Sequence, residues 1–215
     1  MPRHLGVLML DTRFPRLPGD AGNPQSWPMP VRFAVVQGAS PQRVVREGDP
    51  ALLEPFVEAA QRLVQAGAAA ITTSCGFLVQ FQAALQGALP VPVWTSSLLK
   101  LPELEAAGVI TVDAQALSTA HLLAAGAGAD TPVEGLASGC SLQNTLLHDL
   151  PQIDPAAAEL DVTAAALRLV RRVPAVRSLV LECTNMPPYA AAVQRATGRP
   201  IHHLLSLVTE RWNHL

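Results

Sequence analysis

Short apolar runs with the character of β-strands alternate along this chain with longer amphipathic stretches. The clearest strand-like runs are Leu5–Leu10, Ala68–Thr73 and Ser178–Glu182. Between them, Ala51–Gln65 places its apolar residues on one helical face, and Pro155–Arg172 begins with proline at a favourable first-turn position. This alternation predicts parallel strands joined by crossover helices. We therefore expect an α/β protein.

Length, composition and charge limit the classes of protein that this chain can be. Its 215 residues suffice for one large domain or two small lobes with a buried core. An apolar fraction of 49% excludes disorder, and a net charge of −2 argues against nucleic acid as a main partner. No apolar run approaches the roughly 20 residues of a membrane helix, and Met1–His4 shows no start of a signal peptide. We expect a cytoplasmic protein without membrane or nucleic-acid partners.

The two halves of the chain share one local pattern. Ala69–Cys75 and Ser178–Cys183 each consist of an apolar strand, a small or polar residue and a cysteine, and each precedes a helical stretch. Ligands bind outside the carboxyl ends of parallel strands, and helix N-terminal amides lower the pKa of a thiol. Two similar lobes facing each other would therefore bring Cys75 and Cys183 to opposite walls of one cleft. Cys140 has no matching context and is interpreted as structural.

A pair of thiols on opposite faces of a carbon suits cofactor-independent racemisation. One thiolate removes a proton next to a carbonyl group, and the other thiol returns a proton to the opposite face. The amides after each cysteine and the hydroxyls of Thr73, Ser74 and Thr184 are placed to stabilise the enolate-like charge. Pyridoxal phosphate would need a Schiff-base lysine, and Lys100 is the single lysine, without a supporting motif. His202–His203 lacks zinc-ligand spacing, so neither a cofactor nor a metal is expected.

Three segments carry a resemblance to a known family. They are Gly6–Thr12, a strand ending in Asp-Thr, the first cysteine motif Thr73–Gly76, and the second, Glu182–Pro187. Together they resemble the aspartate/glutamate racemase superfamily, which includes glutamate, aspartate and hydantoin racemases, maleate isomerase and arylmalonate decarboxylase. The resemblance implies two α/β lobes, each a small parallel sheet flanked by helices. The lobes are related by pseudo-twofold symmetry, with the active site in the cleft between them.

The resemblance also implies which residues act in the site. Cys75 and Cys183 would be the catalytic acid/base pair, and the substrate would be a small-molecule carboxylate. Contacts to its carboxylate and amino group would come from Asp11, Thr12, Ser74, Gly76, Thr184 and Asn185. We expect residues 1–95 and 200–215 to form the first lobe and 96–199 the second. The apolar helices are compatible with a homodimer.

The chain departs from the racemase pattern in three places. Gly76–Phe77 stands where aspartate and glutamate racemases carry Asn-Thr, and Asn185 stands where they carry His or Glu, so it cannot relay a proton. The Thr12–Pro30 loop replaces a glycine-rich turn and is long enough to be a lid.

These features leave several functions open. The sequence predicts a cofactor-independent racemase or epimerase of a small amino acid or related chiral acid. The alternatives within the superfamily are hydantoin racemase, maleate isomerase and decarboxylase. A non-catalytic protein that binds a small acid is the alternative from another class, supported by the missing His or Glu.

Overall fold

A computed structural model describes residues 3–215, which form two four-stranded parallel sheets. The strands of the first sheet are β1 (His4–Leu10), β2 (Val31–Val36), β3 (Ala68–Thr73) and β4 (Val93–Trp94). Those of the second are β5 (Ala107–Thr111), β6 (Val133–Gly135), β7 (Ser178–Leu181) and β8 (Ile201–His203). The orders are β2-β1-β3-β4 and β6-β5-β7-β8. Both sheets therefore arrange their four strands in the same order, and the predicted α/β fold of two similar lobes is confirmed.

Seven α-helices connect and cover the strands within residues 3–215. They are α1 (Leu53–Gln65), α2 (Gln82–Ala88), α3 (Thr119–Ala124), α4 (Ser141–Leu147), α5 (Pro155–Arg172), α6 (Ala190–Thr197) and α7 (Leu204–Trp212). Short 3-10 turns precede α2 and α6, at Gly76–Phe81 and Pro187–Tyr189, directly after the two cysteine segments. None of the helices in this part of the chain has both the length and the apolar character needed to cross a membrane.

One continuous hydrophobic core extends through both lobes. Helix α1 buries Phe56 and Leu63 on the first sheet, and α5 buries Val162 and Leu169 on the second. Both Cys75 and Cys183 belong to this core. The two lobes are therefore packed together around the segments that carry the cysteines.

The chain returns to the first lobe four residues later than the sequence suggests. Ile201–His203 pairs in parallel with β7 and completes the second sheet, whereas residues 200–215 as a whole were expected in the first lobe. The return begins at Leu204, because α7 packs its apolar face against the first sheet around Trp94 and Val7. Backbone pairing thus fixes the first part of this segment, and side-chain packing fixes the second.

Candidate active site

Cys75 and Cys183 line one small cavity at the carboxyl ends of the strands. Cys75 follows β3 and Cys183 follows β7, which are the third strands in chain order of their sheets. Their side chains are nearly buried, with exposures of 9% and 8%. An apolar wall is contributed by both lobes: Phe14, Val45, Phe77, Val112, Leu146 and Leu147. The structure therefore brings together the two cysteines that the sequence singled out.

The cavity is narrow as the structure shows it. Its volume is about 30 Å³, whereas a single water needs roughly 10–15 Å³ by the same measure. Its polar wall consists of Ser74, Glu182, Thr184 and Asn185 beside the two thiols, and its lining includes no lysine or arginine. A substrate must be small and must displace part of this wall on entry.

Several groups shift the pKa of the Cys75 thiol, some upwards and some downwards. Burial raises its pKa to about 12, and a negative charge on Glu182 adds to that rise. The backbone amides of Phe77 and Leu78 and the charge of Arg16 lower its pKa. The thiol is therefore protonated at neutral pH until a nearby group accepts its proton.

The pKa of the Cys183 thiol is shifted by the same kinds of group. Burial raises its pKa well above the usual value, and the charges of Glu182, Cys75 and Asp20 raise it further, while the backbone amide of Asn185 lowers it. Its Sγ lies 3.5 Å from Asn185 Oδ1, to which it donates a hydrogen bond. Both thiols thus rest in the protonated form.

Glu182 is a residue of the site that sequence reasoning missed. Its exposure is 0%, and Thr111 Oγ1 donates a hydrogen bond of 2.7 Å to its Oε2. Its Oε1 has no hydrogen-bond partner among the described residues. Burial raises its pKa to about 8, although the Thr111 hydroxyl opposes that rise. The available signal was a carboxyl directly after the wholly buried β7 and directly before Cys183.

Gly76 is placed where a side chain cannot fit. A Cβ at this position would overlap Glu182 Oε1 and the Glu182 carbonyl oxygen. The carboxyl of Glu182 therefore lies against the backbone next to Cys75, although it adjoins Cys183 in the chain. The position needs glycine because of this close approach.

Two hydroxyls fix the segment that carries Cys75. The Cys75 amide donates to Thr73 Oγ1 at 3.3 Å, and that hydroxyl also lies 2.6 Å from the Thr95 carbonyl oxygen, to which it donates. Ser74 Oγ accepts a hydrogen bond of 3.0 Å from the Leu10 amide. These contacts fix the conformation of the turn that carries Cys75.

A hydrogen bond joins the two cysteine segments directly. Thr184 Oγ1 donates to the Ser74 carbonyl oxygen at 2.6 Å, between residues 110 positions apart.

Thr184→Val should lower the free energy of unfolding by about 1–3 kcal/mol, because the buried carbonyl loses its partner. Urea denaturation measures this loss. Thr131→Val, which removes a similar bond of 2.7 Å to the exposed Gly128 carbonyl, should cost clearly less, and equal losses would contradict the prediction.

The Thr12–Pro30 loop folds onto the second lobe beside Cys183. Asn185 Nδ2 donates a short hydrogen bond to Asp20, whose other oxygen accepts from Arg16 at 3.2 Å. The amide of Ala21 donates to the Thr184 carbonyl oxygen at 3.2 Å. In this structure, the loop therefore covers the segment after Cys183.

Three of the predicted substrate-binding residues do not line the cavity. Asp11 is exposed, and its Oδ2 accepts a hydrogen bond of 3.1 Å from the Gly38 amide. The Thr12 hydroxyl accepts from Arg16 at 2.9 Å. Thr73 is engaged in the turn before Cys75. Ser74, Gly76, Thr184 and Asn185 do line the cavity.

Comparisons with known proteins identify relatives. No family model matches the chain. It is 30% identical over 223 residues to a dimethylsulfoniopropionate lyase of Durusdinium sp. clade D, covering 92% of this chain and 70% of that protein. It is 28% identical over 221 residues to dimethylsulfoniopropionate lyase 6 of Emiliania huxleyi, covering 92% of this chain and 56% of that protein. The chain thus spans little more than half the length of the Emiliania protein.

Solved structures show the same fold at low sequence identity. Arylmalonate decarboxylase superposes with a TM-score of 0.63 at 16% identity, covering 92% of this chain and 86% of that one. Glutamate racemase from Thermus thermophilus superposes with a TM-score of 0.55 at 20% identity, covering 99% and 79%. The resemblance predicted from the two cysteine motifs is confirmed for the fold, which is that of arylmalonate decarboxylase and glutamate racemase. The chain belongs to the family of the Durusdinium dimethylsulfoniopropionate lyase.

Proposed function

We propose that this protein is a cofactor-independent lyase acting on a small acid with a positively charged leaving group on its β carbon. Dimethylsulfoniopropionate, the substrate in the names of its sequence relatives, is the model compound. The observation that carries the proposal is a single cavity lined by two buried thiols and a largely apolar wall. The thiols supply a base, and the wall suits the methyl groups of a sulfonium.

The proposed reaction is an elimination that begins with proton transfer to sulfur. A cavity thiolate takes a proton from the carbon next to the carboxylate, and the electron pair of that C–H bond forms the new C=C bond. The bond between the β carbon and sulfur breaks, and dimethyl sulfide leaves with its electron pair. Acrylate remains, and the protonated thiol releases its proton before the next turnover.

The lining of the cavity matches the two ends of such a zwitterion. A sulfonium carries its positive charge among methyl groups, and the Phe77 ring offers both an apolar contact and a cation–π interaction. The carboxylate would depend on backbone amides, because the lining has no basic side chain. The amides of Phe77 and Asn185, which lower the pKa values of the two thiols, are the nearest candidates.

Racemisation of a small amino acid is the second candidate, and one observation favours it. The two thiols come from equivalent strands of the two lobes, as a mechanism with one base on each face of a carbon requires. Elimination needs only one base for the proton. The names of the sequence relatives favour elimination.

One experiment in deuterium oxide separates the two candidates. The full chain is incubated with dimethylsulfoniopropionate and, in parallel, with single enantiomers of aspartate, glutamate and a substituted hydantoin. Headspace gas chromatography measures dimethyl sulfide, and proton NMR measures acrylate and α-deuteration. We expect equal amounts of sulfide and acrylate, with no deuteration of the amino acids. Deuteration without sulfide would assign the protein to the racemases, and the absence of both reactions would contradict the proposal.

A further inference from the structure

The two cavity thiols lack the proton-relaying neighbour that racemases carry after the second cysteine. Asn185 occupies that position, and its side chain is already engaged by Cys183 and Asp20. Because both thiols are buried and protonated at rest, another group must accept a proton before either can act as a base. The structure offers one carboxyl in the cavity wall, that of Glu182.

The contacts of Glu182 leave one of its oxygens available. Oε2 is held by the Thr111 hydroxyl at 2.7 Å. Oε1 is buried without a hydrogen-bond partner among the described residues and lies against Gly76, beside Cys75. An unpaired buried carboxyl oxygen is costly, so its retention needs an explanation. A role towards the neighbouring thiols supplies one.

We propose that Glu182 accepts the proton of a cavity thiol, so that its carboxyl and the two thiols share a single exchangeable negative charge. In this step, the S–H bond breaks, an O–H bond forms at Oε1, and the electron pair remains on sulfur. The Thr111 hydroxyl keeps Oε2 fixed during the transfer. Glu182 is a positioning residue in this scheme, since it acts on the substrate only through a thiol.

Other titratable groups around the cavity are less suited to this role. Asp20 is already paired with Arg16 and Asn185. Burial raises the pKa of Tyr189 to about 12, so its hydroxyl keeps its proton. His121 contacts the edge of Phe77 but does not line the cavity, and burial lowers its pKa.

The shared charge has a consequence that can be measured without a substrate. The inference rests on the proposed thiol chemistry, but alkylation by iodoacetamide reports on the thiolates alone. Once Glu182 is ionised, its charge opposes formation of a thiolate beside it, so alkylation of Cys75 and Cys183 should level off near pH 8. Peptide-resolved mass spectrometry measures both rates between pH 6 and pH 10, a range chosen to span roughly two units on either side of that point.

Glu182→Gln is the decisive variant. Without the ionising group, the alkylation rate should keep rising about tenfold per pH unit through pH 10, because the pH stays well below the raised pKa of each buried thiol. A bend near pH 8 that persists in this variant, or a wild type without one, would overturn the inference. Cys140, which lies outside the cavity and is half-buried, is the internal control and should give the same profile in both proteins.

A second variant guards against a merely structural effect. Thr111→Val removes the hydroxyl that stabilises the Glu182 carboxylate, so the bend should move to higher pH while Glu182 remains. A bend that stays in place or moves to lower pH would contradict the scheme. Sulfide release without any bend would refute this inference alone, whereas a bend without sulfide release would refute only the proposed function.

Discussion

Cys75→Ser and Cys183→Ser are each expected to lower kcat for the proposed elimination by at least about 100-fold. A positioned general base contributes roughly 10²–10⁴ to a rate, and a buried donor to developing charge contributes roughly 10²–10³. Both thiols line a cavity of about 30 Å³, so a substrate that fills it contacts both. Serine keeps the shape of the side chain but does not lose its proton near neutral pH. Headspace measurement of dimethyl sulfide at saturating substrate gives the rates.

The third cysteine provides a matched control for these variants. Cys140 precedes α4 and does not line the cavity, so Cys140→Ser should retain kcat within about twofold. Thermal unfolding of all three variants shows whether a loss of rate reflects a loss of structure. If Cys75→Ser and Cys183→Ser both kept the wild-type rate, neither thiol would be part of the chemistry.

The strand ends are where sequence reasoning succeeds in this protein. Cys75 and Cys183 each follow a buried strand and precede a helix. If the two halves of the chain form similar sheets, the two cysteines must therefore occupy equivalent positions in them. The observed strand orders place the two cysteines after corresponding strands. This inference needs only local pattern and the geometry of parallel sheets, both of which can be read from the chain.

The neighbours of the cysteines could not be predicted in the same way. The cavity wall pairs Glu182 with Gly76, more than 100 residues earlier, and the contact exists because glycine leaves room for a carboxyl. Periodicity identifies which residues are buried but not which buried groups meet across two lobes. Asp11 illustrates the converse, since its place at a strand end resembles a site position while the carboxylate accepts a bond from the Gly38 amide.

Short elements without a periodic pattern could not be predicted from the sequence either. Ile201–His203 is a three-residue strand containing two adjacent histidines, and its pairing with β7 depends on the backbone alone. The closure of the Thr12–Pro30 loop depends on a contact between Asp20 and Asn185, 165 residues apart. Loop composition predicts neither the partner nor the strength of such a contact.

Asp20, which forms that contact, is also the residue whose loss should most reduce the stability of the protein. Asp20→Ala should lower the free energy of unfolding by about 3–5 kcal/mol, because it leaves the largely buried Arg16 guanidinium without its counter-charge. Asp20 is only 2% exposed and also accepts hydrogen bonds from Asn185 and the Gly22 amide. Urea denaturation at neutral pH measures the change.

An exposed ion pair from the same loop gives the control for Asp20→Ala. The Arg13 side chain is 73% exposed and pairs with Asp149 at 3.1 Å, so Arg13→Ala should change the free energy of unfolding by less than about 1 kcal/mol. A loss for Asp20→Ala no larger than that for Arg13→Ala would mean that the buried pair does not hold the loop. Asn185 donates a hydrogen bond to Asp20 and accepts one from Cys183 in the cavity wall. The loss of Asp20 therefore frees the Asn185 side chain and should raise KM as well as lower stability. A change in both quantities would connect closure of the loop to the chemistry of the cavity.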